Sequence, residues 1–282
     1  MPERSNIPRT FGSDRGRVLT WILAVSIVFL IGSPAAADWE IEIPASTSFE
    51  HISLPVPADA QLSREKPVQL IEVGAEGNAI PGQLTPLLDS QGRPSADQLR
   101  LLATIPPGGE PESSRRFQLK TINQHGASPF NLVDVEQRSL KLLEGTAPVF
   151  VYNYGTITNM DVPEKDHRRS RGCYLHPVWG VHGEILTADF PADHFHHHGV
   201  FWAWPYVGIG NRTFDLWEYR NIQQRFVKWL HRETGPVAAI VGVENGWFVG
   251  ERQVVTERVW LTAFAAKPNS RTIDCSILLS AQ

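Results

Sequence analysis

Four histidines fall within five positions, His194, His196, His197 and His198, with Asp193 immediately before them. Tyr174, His176, Trp179, His182 and Glu184 stand upstream, and Phe201, Trp202 and Trp204 follow. An unperturbed imidazole titrates near pH 6.5, so this segment is suited to proton transfer at ambient pH. In that chemistry His176, His194 and His197 are the candidate acids and bases, and Asp193 would orient the ring beside it. Trp179, Trp202 and Trp204 offer flat apolar faces that match the C–H face of a sugar ring.

A second chemistry uses a metal. If residues 194–198 are extended, His194, His196 and His198 share one face, with successive Cα atoms about 6.5 Å apart. Two imidazoles at that spacing can share a divalent metal ion, which makes His194 and His196 the candidate ligands. A further ligand would come from His176, Asp193 or Glu257. No Glu follows at the spacing of a cupin-type HxH site. The plain alternative to both is that the histidines cap strand ends and the tryptophans fill a core. Downstream, Glu257-Arg258 precedes Trp260, and strand alternation would bring a carboxylate or a guanidinium onto a binding face. There is no P-loop, no GxGxxG after a strand, no GxSxG elbow, no HExxH and no paired CxxC, which disfavours nucleotide-dependent chemistry and serine hydrolysis.

The elements that must position these residues read as β-structure. Trp39 to Ile43 alternates apolar and charged residues. Further short strands are expected at Phe49–Leu54, Val68–Val73, Leu99–Ile105, Arg116–Thr121, Leu132–Val135 and Val149–Tyr152. Turn-formers at Pro55–Pro57, Gly74–Gly77, Pro81-Gly82, Ser90–Gly92 and Pro106–Gly109 separate the earlier ones. Asp59 to Glu65 is long enough for one or two helical turns. Trp247 to Phe264 alternates over much of its length and reads as one long strand, and Arg271 to Leu279 as the last. The expected fold is all-β: a small N-terminal sandwich over 38–125, then a large antiparallel sandwich over 126–282 whose concave sheet binds ligand. The polar tract 121–128 is the joint, and seven of the nine Trp lie between 176 and 260. The chain stops right after a strand, as a shortened member of a longer family would.

Residues 1–37 read as an export signal. Arg4, Arg9, Arg15 and Arg17 form a basic start, Val18 to Gly32 a 15-residue nearly apolar run, and Ala35-Ala36-Ala37 a cleavage site. The run is shorter than the roughly 20 residues that span a bilayer, and an uncleaved N-terminal anchor is the alternative. Without this segment the chain has 22 basic and 28 acidic side chains, a balance of −6. That gives no basic face for nucleic acid or anionic lipid, and no membrane span is expected after signal removal. Export to the periplasm or outside the cell would permit a Cys173–Cys275 disulfide; two buried thiols are the alternative.

The segment from Tyr174 through His176-Pro177, Gly183, Thr187, Pro191, Asp193-His194, His196-His197, Gly199 and Phe201-Trp202-Ala203-Trp204 resembles the signature of an exported bacterial family. Glu257-Arg258 and Trp260 continue the match. That family is of unknown function and is called PmoA-like, or "methane oxygenase". The resemblance covers roughly 147–282, more loosely the N-terminal part. At His198 the family often has Arg, and it usually continues beyond the point where this chain ends. The resemblance implies an exported β-sandwich similar to the galactose-mutarotase supersandwich and linked to carbohydrate breakdown, and it brings no established catalytic residues. The methane-oxygenase label itself requires several spanning helices, which this sequence lacks. The expected ligand is a carbohydrate or other small molecule, handled by His/Asp acid–base chemistry in a Trp-lined cleft. A metal-dependent oxygenase or lyase and a non-catalytic carbohydrate-binding module are the alternatives.

Overall fold

A computed structural model of the chain describes residues 39–282 apart from 58–59, 61, 75–78, 111 and 125. Residues 1–37, expected to be an export signal, lie outside the described residues, as do Asp59 and Gln61 of the 59–65 segment. The fold is all-β. Six strands come first: β1 (Trp39–Pro44), β2 (Glu50–Pro55), β3 (Val68–Glu72), β4 (Ile80–Leu88), β5 (Pro94–Ile105) and β6 (Ser114–Thr121). They pair antiparallel in the order β1-β6-β3-β4-β5-β2 and enclose a core that includes Ile41, Ile43, Leu70, Leu101 and Phe117. Period-2 alternation explains β1, where Ile41 and Ile43 turn inward and Glu40 and Glu42 do not. Pro81-Gly82, expected as a turn, lies instead inside β4. A Cβ on Gly82 would sit 2.9 Å from Val68 Cγ2 and 3.0 Å from Leu101 Cδ1, so glycine serves close strand packing there.

After residues 122–129 come β7 (Phe130–Val135), β8 (Ser139–Glu144) and β9 (Ala147–Asn153). A short pair, β10 (Ile157–Thr158) and β11 (Ser170–Arg171), flanks a single 3-10 turn at His167–Arg169. Next are β12 (Tyr174–Val178), a small hairpin of β13 (Val207–Ile209) and β14 (Arg212–Phe214), and four long strands. These are β15 (Gln223–Thr234), β16 (Ala238–Val249), β17 (Arg252–Phe264) and β18 (Ile273–Ala281). The stretch expected as one strand over 247–264 is two, folded back at Gly250, whose φ of +62° suits the turn.

Two four-stranded antiparallel sheets result, β12-β9-β8-β7 and β15-β16-β17-β18. Leu140, Leu142, Phe150 and Tyr152 of the first pack on Val241, Val243, Val259 and Leu261 of the second. The opposite face of β16–β17 is also covered: Ala238, Ile240, Trp260 and Phe264 cluster with Leu102 of β5. Burial on both faces explains why β16 is so apolar, and each large side chain enclosed there contributes about 1.5–3 kcal/mol. It also removes the expected concave binding sheet, because β17 has no open face where Glu257 and Arg258 stand. Polar contacts fix the N-terminal sheet to this layer. Gln83 Oε1 accepts from Val237 N and Ala238 N (3.2 and 2.9 Å), and Trp260 Nε1 donates to Gly92 O (2.9 Å). Cys173 is buried with φ +63° and Cys275 lies exposed on β18; both are free thiols, which is neither of the two arrangements left open by the sequence, a disulfide or two buried thiols. No helix among the described residues is long and apolar enough to cross a membrane.

Candidate functional site

The histidine segment is not extended. Phe190 N bonds His197 O and Gly199 N bonds Ala188 O, closing a narrow bend between β12 and β13. Inside it the chain makes two successive turns, with His194 N donating to Pro191 O and His197 N to His194 O, both at 2.9 Å. Pro191 and Asp193 favour such turns. The expected common face of His194, His196 and His198 is therefore lost, and the cluster splits by depth. Gly199, at φ +33°, closes the bend against β12, where any Cβ would run into Leu175 O.

His198 is the buried member, 2% exposed. Its Nδ1–H donates to Asp189 Oδ1 at 2.8 Å, and Asp189 Oδ2 accepts from the Tyr174 hydroxyl at 2.7 Å. The rings of Phe190, Phe201 and Tyr174 surround it. Burial lowers its pKa below the usual imidazole value, against the opposing effect of the hydrogen bond it donates to Asp189, and the Tyr174 hydroxyl is pushed well up by burial and by Asp189. Sequence reasoning chose Asp193 and His194 as the orienting pair. They do touch, Nδ1 to Oδ2 at 3.1 Å, but the Asp193 side chain is 78% exposed and its hold is weak. Asp189–His198 is the organised pair, and the signal that could have found it was a second aspartate at the other stem of the bend.

His194, His196 and His197 form the outer layer. His194 and His197 stack nearly parallel, centroids 4.8 Å apart, and His196 meets the His197 ring edge-on at 4.5 Å. Trp217, not singled out from the sequence, stands against both His196 and His197 (6.1 and 5.9 Å) and against Phe201 (5.2 Å). His196 Nδ1 is buried without a hydrogen-bond partner among the described residues, 3.9 Å from Glu218 Oε1, and burial lowers the pKa of this ring. The two proposed metal ligands, His194 and His196, meet edge to face with centroids 5.7 Å apart. No three His, Cys, Asp or Glu side chains among the described residues are placed to hold a metal ion, so the expected ligand set does not fit as folded. His176 lies on β12 behind Gly199. Its Nδ1 is 3.0 Å from Thr187 Oγ1, which also accepts from Val178 N–H, and burial lowers its pKa.

The expected tryptophan wall separates into three environments. Trp179 lies under the Lys141 ammonium, 5.8 Å from the ring centroid, and bridges to Ile185. Trp202 packs on the core between the two four-stranded sheets. Only Trp204 is exposed, 47%, and it rests on Trp247 at 5.3 Å. Tyr206, unremarked in the sequence, is more exposed still.

Glu257 and Arg258 are corrected outright. Glu257 is wholly buried and accepts from Gln224 Nε2, Asn245 Nδ2 and Trp247 Nε1 at 2.7–2.8 Å. Gln224 Oε1 in turn accepts from Arg171 Nη2 at 3.0 Å, and the Arg171 guanidinium lies 4.0 Å from the Tyr219 ring centroid and 5.0 Å from that of Phe201. A continuous buried network thus runs from Trp247, beneath Trp204, to Arg171, beneath the histidine bend. Arg258 points the other way, to Glu244 at 2.9 Å and to Gln91 O. A cavity of about 950 Å³ shares no lining residue with the histidine bend; it is lined by Arg64, Gln83, Leu99 and Glu233 among others, with no aromatic ring among its described lining residues. It offers no stacking surface.

No curated protein matches the chain. Residues 139–282, from β8 to the last strand, match a family model described as a family of unknown function, DUF6807. That span takes in the bend, the layer beneath it and just over half of the sequence, and the chain belongs to this family.

Proposed function

We propose that the chain is an exported carbohydrate-active protein that performs His/Asp acid–base chemistry at the bend; the resemblance to the PmoA-like family bears only on export and carbohydrate breakdown, and the chemistry is read from the site itself. One observation carries this reading: three part-exposed imidazoles, His194, His196 and His197, converge beside Trp217, above a buried Tyr174–Asp189–His198 chain that holds their loop in place. Imidazoles in this arrangement can exchange protons with a bound hydroxyl near neutral pH. Trp204 and Tyr206 supply exposed rings for stacking against a sugar. In this reading His197 and His194 act on the ligand, and His176 and His198 position the bend.

A second reading, a carbohydrate-binding module without turnover, is favoured by the openness of the site. The gap among His196, His198, Arg171 and Glu218 is too tight for a water molecule, so in this reading the ligand lies across the surface. A screen of oligosaccharides for both binding and bond cleavage separates the two. Turnover that is lost in Trp217→Ala supports the enzyme, and saturable binding without cleavage supports the module. Absence of both ends the carbohydrate reading.

A further inference from the structure

A second concavity, of about 360 Å³, opens beyond Tyr219, between β14, the start of β15 and the β16–β17 turn. Its volume is within the roughly 300–1,000 Å³ range of small-molecule sites. Arg212 and Arg225 line it together with Asn221, Gln223, Phe248 and Gly250, and no carboxylate is among its lining residues. The sequence explains this layout. Gly246 faces Arg225 across the β15–β16 pair, and a Cβ there would sit 2.5 Å from Phe248 Cε2. Lacking one, Gly246 lets the Phe248 ring lie over the strand, and the Arg225 guanidinium stacks above that ring at 4.9 Å. Arg212 stacks in the same way on Phe214, at 5.1 Å.

Stacking fixes the plane of a guanidinium and leaves its N–H fork free, which is the geometry that receives a carboxylate, sulfate or phosphate in two parallel hydrogen bonds. Arg212 has no acidic partner among the described residues. Arg225 has one, Glu251, at 3.2 Å, whose side chain is 92% exposed, a pair weak enough for a ligand to displace. Two cations therefore face one concavity with little to neutralise them.

We propose that this concavity is a recognition site for a small acidic ligand, an oxyanion group carried on a sugar-sized body, with Arg212 and Arg225 as the paired receptors and the Asn221 and Gln223 amides beside them. It uses none of the histidines and stands whether or not the bend is catalytic.

Titration calorimetry of the full chain at low salt tests it with galacturonate, galactose 6-sulfate, galactose, inorganic phosphate and inorganic sulfate. The acidic sugars are expected to bind saturably and galactose not to, with affinity falling as salt rises. Arg212→Gln and Arg225→Gln are each expected to weaken binding about tenfold or more with unchanged melting temperature. Phosphate or sulfate binding as tightly as the sugar acids, with the same arginine dependence, identifies the oxyanion alone as the ligand. Equal affinity for galactose and galacturonate in the unmodified protein, or acid binding that survives both substitutions, overturns the proposal.

Discussion

Asp189 and Asp193 stand four residues apart and are held quite differently. Asp189 receives hydrogen bonds from a buried tyrosine and a buried histidine, whereas Asp193 meets one exposed imidazole in water. Removing Asp189 strands both donors, so Asp189→Ala is expected to cost about 2–4 kcal/mol in urea unfolding. Asp193→Ala should leave the urea midpoint where it is. The histidines also set a pH dependence. His176, His196 and His198 all titrate below the usual value, burial being the largest cause in each. The unfolded chain therefore binds protons more readily than the folded one between their native pKa values and about 6.5. Stability is expected to be full above that window, to fall as pH drops through it, and to level off below the native values. Urea midpoints at pH 7.5, 6.5 and 5.5 check this, and a flat profile would contradict it. Sequence alone showed the imidazoles clustered in one segment. It missed the depth of each ring, because Pro191 and Asp193 turn the chain twice where alternation assumed a strand.

At the scale of elements, β17 shows where sequence periodicity runs out. Val255, Glu257, Val259 and Leu261 do share one face, as alternation implied. Alternation cannot say which face is covered, and here both are, by β7–β9 on one side and the N-terminal sheet on the other. The carboxylate at 257 is accordingly a buried acceptor for three donors on β15 and β16, and a structural tie between those strands. Glu257→Ala would leave Gln224, Asn245 and Trp247 without their acceptor. The expected loss is about 3–5 kcal/mol, read from urea unfolding. Loss of ligand binding without loss of stability would instead return Glu257 to the binding surface. The strands at Trp39–Ile43 and Val68–Val73 were legible because a single buried face leaves a period-2 trace. β4 was not, since Pro81 and Gly82 look like a turn until Val68 and Leu101 close on them.

Across the whole molecule, three β-layers stack so that the N-terminal sheet braces the back of β16–β17 and the β7–β12 sheet its front. The loops that emerge beyond β12 carry the histidine bend with Trp217 against it, and Trp204 on Trp247, and the Arg171–Glu257 network links the layers beneath. An all-β chain with a His-rich loop was readable from composition and punctuation. The layer order was not, because it depends on which apolar faces meet over long sequence separation. We propose that the outer imidazoles act on a ligand and are not part of the packing. His197→Ala tests it most directly, by turnover of a glycan that the unmodified chain cleaves and by melting temperature in parallel. Turnover is expected to fall about a hundredfold or more while the melting temperature stays within about 2 °C. A variant that keeps its turnover, or one that loses activity and stability together, would contradict the claim.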